Sequence, residues 1–174
     1  MARIESFEVP EFLKRSEMKL YIDGRAIAAK SGKTFETRNP ATSELLANIA
    51  EAGEVDVDIA VKSARKAFEG PWRTMKPTER QKILLNLADM MDSRYSELAT
   101  LDTLELGAPL SKTVLGKNRA AALLRYYAGQ IPLVHGDTLS NSAPGDVISH
   151  TLKEPIGVVA AINPWNGPAG MSVW

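Results

Sequence analysis

The sequence contains no cysteine. That excludes a disulfide framework, a thiolate metal site and a thiol nucleophile within these residues. No charge of one sign dominates, since 21 Lys and Arg face 21 Asp and Glu. A neutral balance argues against a nucleic-acid or acidic-membrane partner. Long hydrophobic runs are also absent. The longest, Ile156 to Ile162, is too short to cross a bilayer. Met1 to Lys19 is polar and mixed in charge, without the apolar core of a secretory signal. The expected compartment is therefore the cytoplasm, by default. Only two histidines occur, His135 and His150, and neither has a further ligand at metal-binding spacing. No metal site is expected. There is no internal repeat, no G-x-G-x-x-G, no P-loop and no G-x-S-x-G elbow.

What is present suffices for one ordinary domain, at 174 residues. Ile4 to Arg15 has no clear period and reads as a loose lead-in. Lys19 to Arg25 reads as a hairpin turning on Asp23-Gly24. Thr34 to Asn39 and Leu45 to Ala50 read as two further strands around the turn-rich Pro40-Ala41-Thr42-Ser43. Helices follow. Ile59, Ala60, Ala64, Ala67 and Phe68 share one face, with Asp56 and Asp58 in the first turn, where the helix dipole favours them. Thr78 and Gln81 match a capping box ahead of Ile83, Leu84, Leu87, Ala88 and Met91. Tyr95, Leu98, Leu101 and Leu104 form a third stripe, stopped by Gly107 and Pro109. Ser111 is positioned to cap a fourth helix, with Ala120, Leu123, Leu124 and Tyr127 inward. Met90-Met91 and Tyr126-Tyr127 read as helix contacts rather than as a pocket. Val134 to Lys153 has little to bury and reads as an exposed hairpin with an open edge.

The last stretch, Glu154 to Trp174, changes character. Ile156 to Ile162 is an apolar, β-branched run between Gly157 and Pro164, patterned as a buried strand of a parallel sheet. A polar turn from Asn163 to Pro168 follows, and then helical spacing at Ala169, Met171 and Val173. A strand, turn and helix start of this kind forms the crevice where α/β folds bind ligands. Asn166 there can aim a neutral N–H at a developing oxyanion. The same residues also make an ordinary Asn-Pro, Asn-Gly turn.

E-P-I-G-V-V-A-A-I-N-P-W-N-x-P resembles the first nucleotide-fold strand and catalytic-asparagine turn of the NAD(P)-dependent aldehyde dehydrogenases. Other segments fall in that family's order. They are Tyr21 to Gly24, the Arg38-Asn39-Pro40-Ala41-Thr42 turn, Leu104 to Leu110 with Ala108 where Lys is usual, and Leu124 to Gly129 followed by His135-Gly136. The resemblance implies an incomplete α/β fold. Residues 1–133 would be hairpins and about four helices of the cofactor-binding domain. Residues 134–155 would be an oligomerisation hairpin, making a homo-oligomer through 134–154. Residues 156–174 would be the first strand and asparagine turn of a Rossmann-like sheet.

It also implies a reaction. A cysteine thiolate attacks a small-molecule aldehyde, hydride passes to NAD or NADP, and a glutamate-activated water releases the acid. Asn166 would be the catalytic oxyanion donor. Ile162, Asn163, Pro164 and Trp165 would line the cofactor cleft. Gly167, Gly170, Met171 and Trp174 would face the substrate tunnel. Glycine at 167 and 170, where the family usually carries larger residues, implies a wide tunnel suited to bulky or aromatic aldehydes. The cysteine and general-base regions of the family have no counterpart in these residues. The chain is therefore expected to be inactive alone, with a sticky and poorly protected last segment. The alternative is a non-catalytic short form that binds full-length subunits through the hairpin.

Overall fold

A computed structural model describes residues 17–174, and all of their side chains except those of 116–118. The expected lead-in from Ile4 to Arg15 lies outside the described residues. The chain opens with β1 (Glu17–Met18), β2 (Leu20–Ile22) and β3 (Arg25–Ile27). β2 and β3 pair antiparallel, closing at Ile22 opposite Arg25. Asp23 and Gly24 both take positive φ, 52° and 73°. A left-handed pair of this kind is the type I′ geometry, whose twist matches that of a two-residue hairpin.

β4 (Thr34–Arg38) and β5 (Leu45–Ala50) form the second expected pair, in register from Thr34 opposite Ala50. β1 adds parallel to the other edge of β5, a pairing too short to announce itself in sequence. The turn between β4 and β5 is held by Asn39, whose side-chain oxygen accepts from Ala41 N at 2.9 Å.

The helical part is α1 (Glu54–Glu69), α2 (Pro71–Thr74), α3 (Pro77–Leu106), α4 (Leu110–Thr113) and α5 (Lys117–Gln130). The second and third stripes of the sequence belong to one 30-residue helix, α3, not two. No Gly or Pro interrupts Thr78 to Leu106, so nothing breaks the backbone ladder. Its cap also differs from the expected Thr78–Gln81 box. The helix starts at Pro77, and Glu79 accepts from Lys76 N at 3.1 Å. Proline suits that first position because its missing N–H would have no partner there anyway. Ser111 does not cap α5; it lies inside the short α4.

α3 and α5 run antiparallel and carry the helical core. Ala88, Ala121 and Leu124 are buried between them, with Leu84 and Met91 packed alongside. Small residues at the contact let the two backbones approach closely, which tightens van der Waals packing. The inward face of α5 is therefore Ala120, Ala121, Leu124 and Ala128, whereas Tyr127 of the expected stripe is half exposed. Arg125 bridges across to Asp89 and Asp92 of α3 at 2.7 and 2.8 Å. α1 is less covered than its pattern suggested, with Ala64 and Ala67 exposed.

Beyond α5, β6 (Thr138–Leu139) and β7 (Ser149–His150) make a small antiparallel hairpin. The expected buried strand at Ile156 to Ile162 is not formed here. Residues 151–164 carry no regular secondary structure, and Ile156, Val159 and Ile162 are 93%, 70% and 98% exposed. A strand needs a neighbour to take up its N–H and C=O groups, and none of the described strands runs beside it. The chain ends in α6 (Pro168–Met171), which packs on α3 and α5.

Candidate active site

The turn at Trp165-Asn166 leads through an extended Gly167 into α6, where Pro168 takes the first helical position. Met171 N donates to Gly167 O at 3.0 Å, and Ser172 N to Pro168 O at 2.9 Å. Val173 then packs against the Ala88, Ala121 and Leu124 core. That contact presses the turn onto the α3–α5 pair and sets what Asn166 faces.

It faces an open cavity of about 300 Å³. Asn166, Gly167, Gly170, Met171 and Trp174 form one side, and Tyr95, Asp102, Arg119 and Ala120 the other. The Asn166 side chain is exposed and makes no hydrogen bond among the described residues. Its amide is thus free to bind something in the cavity. A Cβ built on Gly167 or on Gly170 would meet no atom within 4 Å, so glycine leaves open space at both positions.

The helical side carries two perturbed groups. Burial pushes the Tyr95 phenol up, and the nearby Asp102 carboxylate adds to the shift. Burial likewise pushes the Asp102 carboxyl up, with Glu105 contributing repulsion. Both causes favour the neutral forms. Tyr95, Asp102 and Arg119 were not anticipated as site residues. Tyr95 and Asp102 lie seven residues apart, on one face of α3. A carboxylate falling in line with an apolar stripe was the one available signal.

The structure separates the two sets of expected site residues. The tunnel set and Asn166 come together in the cavity. Ile162, Asn163, Pro164 and Trp165 lie outside its lining, and Ile162 and Trp165 are 98% and 80% exposed. These four form at most one edge of a cleft. Among the described residues there is no glycine-rich phosphate turn after a strand. No group of His, Cys, Asp and Glu among the described residues is arranged to hold a metal ion.

The sequence model of the aldehyde dehydrogenase family matches residues 27–174. The chain belongs to that family. A putative aldehyde dehydrogenase DhaS of Bacillus subtilis is 47% identical over 158 residues, covering 90% of this chain and 32% of the relative. A mitochondrial benzaldehyde dehydrogenase of Antirrhinum majus is 42% identical, covering 90% of this chain and 29% of its own length. The NAD+ complex of an aldehyde dehydrogenase from Bacillus cereus superposes with a TM-score of 0.88 at 42% identity, over 94% of this chain and 33% of that one. The chain thus spans about a third of the length of the relatives it matches. The family segments meet in space as well as in order. Thr37 Oγ1 donates to Glu105 Oε1 at 3.0 Å, and Pro40 of the N-P-A-T turn lies against Gly107.

Proposed function

We propose that these residues supply the oxyanion end of an aldehyde-oxidising site, and that alone they do not turn over. The observation that carries this reading is the unpaired Asn166 amide facing a cavity walled by Gly167, Gly170, Met171 and Trp174. An N–H held there would stabilise the negative oxygen that forms when a nucleophile adds to an aldehyde. The nucleophile itself cannot come from this chain, which has no cysteine. The nicotinamide's contribution, with NAD or NADP as the expected carrier, lies outside what these residues build.

The open space at Gly167 and Gly170 supports a preference for bulky, ring-bearing aldehydes. The benzaldehyde dehydrogenase among the relatives agrees in direction. The β6–β7 hairpin, with Ile148 and Leu152 85% and 74% exposed, supports assembly with further copies. That surface also suits the second reading, a short form that joins longer subunits.

The test is an assay of NADH formation from benzaldehyde and acetaldehyde. The 174-residue chain should give none. The chain continued by the remaining two-thirds of the Bacillus subtilis relative should turn over, with benzaldehyde ahead. Asn166→Ala in that longer protein should lower kcat about hundredfold, near 3 kcal/mol of barrier. Turnover by the short chain, or an Asn166→Ala variant at full rate, would overturn the reading.

A further inference from the structure

The cavity that holds the Asn166 amide also holds a guanidinium with nothing to do. Arg119 lines it, and among the described residues it makes no hydrogen bond and no ion pair. Three other arginines each pair with a carboxylate. Arg38 lies 2.6 Å from Glu36, Arg94 2.6 Å from Glu97, and Arg125 2.7 Å from Asp89. Asp102 shares the cavity with Arg119, yet no ion pair joins the two.

Gly167, Gly170, Met171 and Trp174, which also line the cavity, are apolar or bare backbone. The cavity's volume, about 300 Å³, sits at the lower end of the range for small-molecule sites. A compact ligand with one polar atom at Asn166, an apolar body, and one negative group at Arg119 would engage the amide, the apolar wall and the guanidinium together. A guanidinium matches a carboxylate through two parallel N–H···O bonds, and a single positive charge suits a single negative one.

We infer that Arg119 is a specificity-determining residue, which selects aldehydes carrying a carboxylate at the end remote from the carbonyl. The inference rests on the reading of Asn166 as the carbonyl end of the cavity. It adds a charge requirement to the size preference argued above.

The experiment uses the 174-residue chain and needs no turnover. The isotope-labelled chain is titrated with para-formylbenzoate and, separately, with benzaldehyde. The resonances followed are the Asn166 side-chain amide and the Trp174 indole N–H, which both line the cavity. Both should shift, and para-formylbenzoate should bind about ten- to hundredfold more tightly, the worth of a hydrogen bond to a charged group. Arg119→Gln should bring the ratio close to one, and Arg119→Lys should keep part of it. Arg119 is exposed, so the rest of the spectrum should be unchanged and show that both variants fold. Equal binding of the two aldehydes, or a ratio that survives Arg119→Gln, would overturn the role of Arg119 while leaving the cavity reading intact. If neither aldehyde moves the Asn166 amide, the cavity reading fails and the inference with it.

Discussion

Asp56 is only 2% exposed and takes two backbone N–H groups, from Lys30 and from Gly53, each at 3.0 Å. The second is the N-cap bond of α1, and the first ties the loop after β3 to that helix. Asp56→Ala would leave both part-buried donors without these partners. The expected loss is about 1–3 kcal/mol, read from the urea midpoint. Asp102 should behave in the opposite sense. Burial raises its carboxyl, with Glu105 as the lesser cause. A group raised in the folded state binds more protons there than when unfolded, so its contribution to stability falls as pH rises through the folded pKa. Above the folded pKa the ionised form bears the full cost of its burial. Asp102→Asn should therefore raise the urea midpoint at neutral pH. The gain should vanish below the ordinary aspartate value of 3.8. A lower midpoint at neutral pH would mean that the carboxylate makes a bond worth keeping.

At the level of elements, the β6–β7 hairpin depends on a close approach. A Cβ on Gly136 would collide with the backbone oxygen of Thr151. The same neighbourhood holds the bonds from Thr151 N to Asp137 O at 2.9 Å and from Asp137 N to Thr151 Oγ1 at 2.8 Å. Gly136→Ala should open this end of the hairpin. Amide exchange at Thr151 would accelerate while α3 and α5 stay protected. Protection of Thr151 unchanged in the variant would contradict the packing. The α3–α5 pair is independent of that hairpin, because its core of Ala88, Ala121 and Leu124 closes on itself and on Val173. This is also how α6 is fixed: a helix of four residues has no stability of its own and is held by its docking.

At the scale of the molecule, much apolar surface is left in water. Ile156, Ile162, Trp165 and Trp174 are each at least 80% exposed. Uncovered apolar area forfeits roughly 25 cal/mol per Å². The run 156–162 should therefore exchange its amides fast in the 174-residue chain and slowly once the rest of the family's sheet is joined to it. Strong protection in the isolated monomer would contradict this. The chain superposes on a solved relative with a TM-score of 0.88 although the run 156–162 makes no ladder.

Elements governed by near neighbours were legible before any coordinates. The Asp23-Gly24 turn, the strands around Asn39, and α1 follow from φ preference, alternation and capping within a few residues. The resemblance also named Asn166, Gly167, Gly170, Met171 and Trp174 together, and these five line one cavity. Periodicity tells which side chains share a face but not what that face meets. Only the packing of α6 on α3 and α5 brought Tyr95, Asp102 and Arg119 round to Asn166. The apolar pattern of Ile156 to Ile162 likewise states a preference for burial. Whether it becomes a strand is decided by a partner backbone, since hydrogen bonds between strands need two.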